Sequence, residues 1–361
     1  MAVLRAALVT PLSGALARYG EATAAALDLW AKQAADLPPR WRRVELDVRD
    51  SRPDPAAAIR EAVAGAPHVV FGPYGSGPAT AVLDATDRVV WNHGGASSRL
   101  AWPEFAGAIN VLAPASTYLV GALQAVRAAA PDAGTVALLH VDTRFGRDVA
   151  SGAGQAARRL GFDVHEVRFP AGDAAAAASR VGDADVLLVA AGFDDELTAA
   201  RQLLARPWRA AAFVGAGVEE VLAELGEARE GLLGPAQWLP ATAPQPDEGP
   251  AADWFRHAYR SAAGGEPAYP AVQAFAAGVL AARCLRDTGD VADGAQLAAA
   301  KRLRCTTLYG RFRLDPESGL QAGHRVWTVQ WQDGARRAVW PPERAERPLR
   351  WPRPASHRTA P

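Results

Sequence analysis

Lysine is nearly missing from this chain. Lys32 and Lys301 are the only two, and arginine carries almost all of the positive charge, a compositional bias with no mechanism attached. Cysteine is as scarce: Cys284 and Cys305 are the whole supply, too few for a disulfide framework and not in metal-ligand spacing. The two lie in adjacent segments, so a disulfide between them and a pair of buried thiols are both open readings. Net charge is missing too, at +0, and no dense basic run precedes the C-terminal segment. A nucleic acid or an acidic membrane surface would call for a basic face, so neither is expected as a partner. No apolar run reaches the ~18 residues that cross a bilayer. Finally, no charged start, apolar run and cleavage site stand in front of the first strand, since Met1–Thr10 already reads as that strand. No signal peptide is therefore expected in this chain, which leaves the cytoplasm or a location reached with a leader since removed.

What is present is an ordinary globular composition, 49% hydrophobic and 22% charged, in a chain of 361 residues. A single core rarely grows past roughly 250–300 residues, so two lobes are expected. Val3–Thr10 is an apolar strand ended by Pro11, followed by a helix over Glu21–Ala35 with Leu27, Trp30 and Ala34 on one face. Strand Arg43–Arg49, a helix opened by Asp54-Pro55, strand His68–Phe71, helix Pro78–Thr86, strand Arg88–Trp91 and strand Ala108–Leu112 follow. After helix Ser116–Ala130 the alternation begins again. Strands are expected at Thr135–His140, Asp163–Phe169, Asp185–Ala190 and Ala210–Val214, with helices at Arg147–Leu160, Ala174–Val181, Glu196–Ala205 and Val218–Leu225. This is the pattern of doubly wound parallel sheets, twice over. From Gly231 it breaks: an extended Gly231–Trp238, a Pro-rich loop at Pro240–Pro250, helices Asp253–Ala263 and Val272–Arg286, then strands Tyr309–Leu314, Arg325–Gln332 and Arg336–Trp340. Gln332-Asp333-Gly334 is a hairpin signal, and Pro341–Pro361 reads as a loosely attached tail.

The most informative stretch runs from His68 to Arg99. Two short apolar runs each end in a glycine turn with small hydroxyl residues, Gly72-Pro73-Tyr74-Gly75-Ser76-Gly77 and His93-Gly94-Gly95-Ala96-Ser97-Ser98. Ser76-Gly77-Pro78 opens a helix, with Ser76 as its expected cap. A strand end, a glycine turn and a helix start leave several unpaired N–H groups at one point, which favours a carboxylate or another small anion. The first turn reads G-x-x-G-x-G after the third strand, not G-x-G-x-x-G after the first, so a dinucleotide loop is disfavoured. Neither turn fits the G-x-S-x-G elbow of a hydrolase, and no Asp is placed to orient His93. No acid/base pair converges there, so no catalytic residue is assigned and an enzyme is disfavoured. His68, His140, His165, His257, His324 and His357 lack metal-ligand spacing, and no metal or cofactor is expected. Asp194, Asp195 and Glu196 begin a helix, where acids suit the dipole. Tyr74, Phe145, Phe193 and Trp238 stand in or just past strand ends and are candidate walls of a ligand cleft.

The order of these pieces resembles the type I periplasmic binding proteins, in particular the leucine/isoleucine/valine-binding receptors of ABC transporters. Thr10-Pro11-Leu12-Ser13-Gly14 with Tyr19-Gly20 is similar to that family's opening loop. Asp50 with Asp54-Pro55, Phe71–Ser76, Asp142–Gly146, Gly192-Phe193 and Tyr309-Gly310 with Phe312 follow its order. The resemblance implies two Rossmann-like lobes joined by three hinge crossings near Ser116, Pro235 and Asp315. Lobe 1 would be 1–116 plus 236–315, lobe 2 117–235 plus 316–340, and 341–361 a Pro/Arg-rich tail. It implies a ligand clamped by hinge closure, with Ser76 on its carboxylate and the Gly94, Gly95, Ala96, Ser97 turn offering backbone groups and a hydroxyl. Tyr19, Phe145 and Phe193 would line the cleft beside Tyr74 and Gly75. The implied function is a solute-binding receptor that hands a small organic ligand to an ABC transporter permease, which would place it in the periplasm or cell envelope. The alternative is a cytoplasmic ligand sensor of the same fold that regulates a partner protein.

The departures from the family's pattern carry an expectation of their own. The far-lobe tyrosines are here Phe145 and Phe193. The acid that meets a ligand's ammonium falls on Gly217, and a buried ammonium without a partner is costly. The expected ligand is a small carboxylate or amide with an apolar or aromatic body and no α-amino group, unless Asp194, Asp195 or Glu219 takes over the acid's part.

Overall fold

A computed structural model describes residues 2–33 and 37–354. In chain order its elements begin with β1 (Ala2–Thr10), α1 (Ala17–Lys32), β2 (Trp41–Asp50), α2 (Pro55–Ala64), β3 (Val69–Phe71), α3 (Ser76–Asp84), β4 (Val90–Asn92) and β5 (Ala108–Asn110). They continue with α4 (Val120–Ala129), β6 (Thr135–Val141), α5 (Arg144–Arg159), β7 (Asp163–Phe169), α6 (Ala174–Ala178), β8 (Val186–Ala190), α7 (Phe193–Leu203), β9 (Ala210–Phe213) and β10 (Leu233–Ala236). The last are α8 (Ala252–Ala263), α9 (Tyr269–Thr288), α10 (Asp293–Arg302), β11 (Cys305–Thr306), β12 (Arg311–Phe312), β13 (Trp327–Gln332) and β14 (Ala335–Trp340). The chain divides into two compact units, 1–114 with 238–325 and 115–237 with 326–361.

Unit 1 holds a parallel sheet in the order β2-β1-β3-β4-β5. Strand alternation puts Ala7, Val9, Val70 and Val90 on one face, where they form a core with Ile59, Val82, Leu83 and Phe105 from α2, α3 and the loop before β5. The opposite face carries α1 and α9. The long helix α9 is alanine-rich because it is buried nearly all round. At Gly278 its backbone passes against the Trp30 indole so closely that a β-carbon would clash with the ring.

Unit 2 holds a seven-stranded sheet in the order β14-β13-β10-β9-β8-β6-β7. Its β6–β10 part is parallel, and the β13–β14 hairpin adds two antiparallel strands at one edge. Strand β8 (VLLVA) is apolar at every position because both of its faces are covered. This is the two-sheet, doubly wound α/β architecture that the alternation predicts.

Several expectations are corrected. The helix expected at Val218–Leu225 is absent: Leu222 adopts φ 60°, and a 3₁₀ segment kinked at Gly226 runs over Ala223–Arg229. Helix α10 has no counterpart in the sequence reading. Of the strand expected at Tyr309–Leu314, Arg311–Phe312 pairs as β12 on β11, and Leu314 makes an isolated antiparallel bridge to Gln321. The expected end of the first helix at Ala35 lies outside the described residues, as does the tail beyond residue 354.

As far as Pro354 that tail is firmly attached. Arg350 N–H donates to Gln330 Oε1 at 2.8 Å, and Arg353 is buried, its backbone N–H donating to the Arg209 carbonyl at 2.9 Å. Cys284 and Cys305 are free buried thiols, each pushed up to about 12 by burial first and by nearby acidic groups.

Candidate functional site

The two glycine turns meet at the carboxyl ends of β3 and β4, where ligands bind in open α/β sheets. Gly75 N–H donates to the Gly94 carbonyl at 2.9 Å, and Tyr74 pairs with Gly94 in a parallel bridge. The contact is so close that a β-carbon at Gly94 would overlap the Tyr74 Cα. The cap of α3 is Gly75, at φ 99°, not Ser76 as expected; Ser76 is the first helical residue. Its hydroxyl is left to face the second turn, where Ala96 N–H donates to Ser76 Oγ at 3.3 Å. Helix geometry leaves the Ser76 and Gly77 N–H groups without an acceptor inside α3, since the first bond is Ala79 N–H to Gly75 carbonyl at 3.0 Å.

The second turn is held from below by Asn92. Its Oδ1 accepts the Gly95 N–H at 2.8 Å, and its Nδ2 donates to the Gly95 carbonyl at 2.7 Å and to Asn110 Oδ1 at 2.8 Å. Ser97 is buried, and its Oγ accepts Arg99 N–H at 3.3 Å, capping the short 3₁₀ turn that follows.

Beside these turns stands an aromatic wall. Tyr19 stacks on Tyr74 with ring centroids 4.8 Å apart. Tyr269, at the start of α9, leans on both rings at 6.3 and 6.2 Å, and its hydroxyl hydrogen-bonds that of Tyr74. Arg18 lies over the Tyr19 ring at 4.5 Å and donates to its hydroxyl. Tyr269 was not singled out in the sequence, where it is one aromatic at a helix start with nothing local to tie it to Tyr74. Trp238 is buried in the same unit, its indole N–H donating to the Leu308 carbonyl at 2.9 Å.

Unit 2 carries the remaining candidates. Phe145 opens α5 behind the Thr143 cap and meets Tyr118 edge-on at 5.9 Å. Phe193 opens α7; both phenylalanines are half-buried. Gly217 closes the Gly215–Gly217 turn, and a β-carbon there would overlap the Pro235 carbonyl.

The acids near that turn are already engaged. Glu219 pairs with Arg336 at 2.8 Å, and Asp195 accepts Gly172 N–H at 3.1 Å. Glu196 is fully buried and accepts N–H bonds from Gly215 (2.6 Å), Ala191 (3.2 Å) and Val214 (3.2 Å), tying α7 to the ends of β8 and β9. Burial pushes its pKa up to about 8 against these bonds. A raised folded pKa favours folding below the ordinary carboxylate value and loses that contribution as pH rises. Stability is therefore expected to fall between pH 4.5 and about 8. In Glu196→Gln the amide NH₂ faces a backbone donor, which costs about 1–3 kcal/mol and flattens that part of the pH profile. Thermal melts across the range check both.

Among the described residues no three His, Cys, Asp or Glu side chains gather as metal ligands, and no helix is long and apolar enough to cross a membrane.

Two doubly wound units, one with paired glycine turns and an aromatic wall at the carboxyl edge of its sheet, have the architecture of a small-molecule binding protein. The chain belongs to the family described as periplasmic binding protein, whose model matches residues 3–336. A comparison with curated protein sequences gives no match. Among solved structures, an ABC transporter solute-binding protein from R. palustris in complex with 4-hydroxybenzoate superposes with TM-score 0.79 at 17% identity, covering 98% of this chain and 99% of that one. An ABC transporter substrate-binding protein from Sphaerobacter thermophilus gives TM-score 0.77 at 21% identity, covering 92% and 95%. A leucine-binding protein from Thermotoga maritima gives 0.76 at 18%, covering 92% and 97%.

Proposed function

We propose that this protein is the substrate receptor of an ABC transporter and that its ligand is a small aromatic or apolar carboxylate without an ammonium group. It would act outside the cytoplasm, hand the ligand to a permease and catalyse nothing. One observation carries the ligand class: every donor at the paired turns of unit 1 is neutral, and the wall beside them is aromatic. A carboxylate is held well by a serine hydroxyl and helix-start N–H groups, and a flat apolar body by stacked tyrosines. The opposite requirement, an acid for an ammonium, is poorly met: Gly217 has no room for a side chain, Glu219 pairs with Arg336, Asp195 accepts the Gly172 N–H, and only the exposed Asp194 at the start of α7 is left. Phe145 and Phe193 are the candidate contacts of unit 2. Solved structures of this fold hold 4-hydroxybenzoate and benzoate as well as carrying the name of a leucine-binding protein, so the fold alone does not choose between the classes.

A thermal-shift panel of benzoate, 4-hydroxybenzoate and leucine decides. A ligand at a hundred times its Kd stabilises by about 2.7 kcal/mol, which is roughly 5–10 °C for a chain of this size. The aromatic acids are expected to give such a shift and leucine none. A shift with leucine alone overturns the ligand class.

A further inference from the structure

Unit 1 contains a set of buried polar atoms that the carboxylate site does not use. Strand alternation that sends Val9 and Val90 into the α2–α3 core sends Thr10 and His93 to the opposite face, toward α1 and α9. Trp91 marks that face, because its indole donates to Gln296 of α10 at 3.1 Å. Thr10 Oγ1 lies beside α1, 3.1 Å from where a β-carbon on Gly20 would stand. Gln273 lies on α9 one turn beyond Tyr269, with its Nε2 donating to the Tyr309 hydroxyl at 3.1 Å. Thr10, His93 and Gln273 are each 0% exposed. Thr10 Oγ1 and Gln273 Oε1 have no hydrogen-bond partner among the described residues, and the His93 ring finds none beyond its own backbone. Buried polar atoms in native proteins are almost always satisfied, so orphan atoms at the carboxyl ends of β1 and β4, on either side of β3, and on the α9 helix that covers that face call for a partner.

The chemistry narrows that partner. Burial pushes the His93 pKa down to about 3, so the ring is neutral, with one N–H donor and one acceptor. Gln273 offers an acceptor and Thr10 a hydroxyl. No charged side chain belongs to the set, so an ion there would be buried without a counter-charge. A hydroxyl fits, since it donates one hydrogen bond and accepts two.

We propose that Thr10, His93 and Gln273 form a buried neutral compartment behind the Tyr74 turn that holds one hydroxyl group, either a resident water or the hydroxyl of the bound ligand. The ligand arm rests on unit 1 being the carboxylate-binding unit; the water arm does not. In the water arm, the compartment fixes the α9 side of the tyrosine wall. In the ligand arm, it makes the receptor prefer hydroxylated acids, because a site built around a hydroxyl discriminates strongly against its absence.

Two measurements on the full chain test this. Calorimetric titration with phenylacetate and 4-hydroxyphenylacetate reads the ligand arm. Preference for the hydroxylated acid by about tenfold or more, lost in Thr10→Val and in Gln273→Met, assigns the hydroxyl to the ligand. Equal binding of the two, together with a crystallographic water within hydrogen-bond reach of His93 and Gln273, assigns it to water. The melting temperature of Thr10→Val gives a sign that needs no ligand. Valine matches threonine in shape, so a satisfied hydroxyl makes the variant melt about 2 °C or more lower, and an unsatisfied one makes it melt higher. A higher melting temperature, or a crystal structure with no water and no ligand hydroxyl among the three residues, overturns the compartment. If neither acid binds, the carboxylate reading of unit 1 fails by itself, while the crystal structure and the melting shift still decide the water arm.

Discussion

Replacing Gly217 with alanine is expected to destabilise the protein by about 3 kcal/mol, at the upper end of the usual cost of overpacking and among the largest effects of any single methyl group here. The reason lies in how unit 2 is packed. The Gly215–Gly217 turn runs against the start of β10, and the β-carbon added at Gly217 would overlap the Pro235 carbonyl oxygen. Gly234 faces back onto the same turn, where its own β-carbon would overlap the Gly217 nitrogen. Two glycine backbones therefore touch, and neither can retreat. The turn is fixed on its far side by Glu196, and Trp331 donates to the Ala216 carbonyl at 2.9 Å. Strain has nowhere to go, so the melting temperature should drop by about 10 °C. A drop of less than about 2 °C would show that the turn can move. The functional corollary is sharper. Gly217→Asp does not create an ammonium partner; it unfolds the turn that would have to present one. Calorimetry with leucine should find no gain of binding in whatever folded variant can be recovered.

That result bears on how far the sequence could be read. The strand–turn–helix pieces of both units were legible because they are local: apolar runs of the right length, glycine turns after them, helical spacing beyond. The resemblance to the family's pattern puts Gly217 where an acid is missing. It could not say whether a side chain would fit there, since Pro235 is eighteen residues away and approaches only in the folded unit. Helix α10 was missed for a similar reason. Its alanines and polar residues draw no strong apolar stripe, and it is anchored from outside, by Asp293 accepting the Val89 N–H at 2.9 Å and pairing with Arg88 at 2.7 Å. The sequence shows Glu196 as a helix-start acid; that it is buried and gathers three N–H groups from two strand ends depends on the whole sheet. Tyr269 meets Tyr74 across nearly two hundred residues of chain. The rule is physical. Sequence periodicity reports what a residue does with its near neighbours, and a binding wall is made of residues that are not neighbours.

Ser76→Ala should weaken binding of an aromatic carboxylate by about tenfold to a hundredfold, the usual worth of a hydrogen bond to a charged group. The hydroxyl of Ser76 accepts the Ala96 N–H and keeps its own proton for an outside acceptor. Removing it takes away the donor to the ligand and the tie between the two turns, while the Ser76 and Gly77 N–H groups remain. Some affinity should therefore survive, and the melting temperature of the free protein should fall by only a few degrees, the loss of one neutral hydrogen bond. Ser97→Ala is the contrasting variant. Its hydroxyl accepts the Arg99 N–H, so its removal should lower stability by about 1 kcal/mol and leave affinity nearly unchanged. Calorimetric titration of benzoate into the three proteins separates the roles. If Ser76→Ala binds as wild type does and Ser97→Ala does not, the carboxylate rests on the second turn, and the first is only its support.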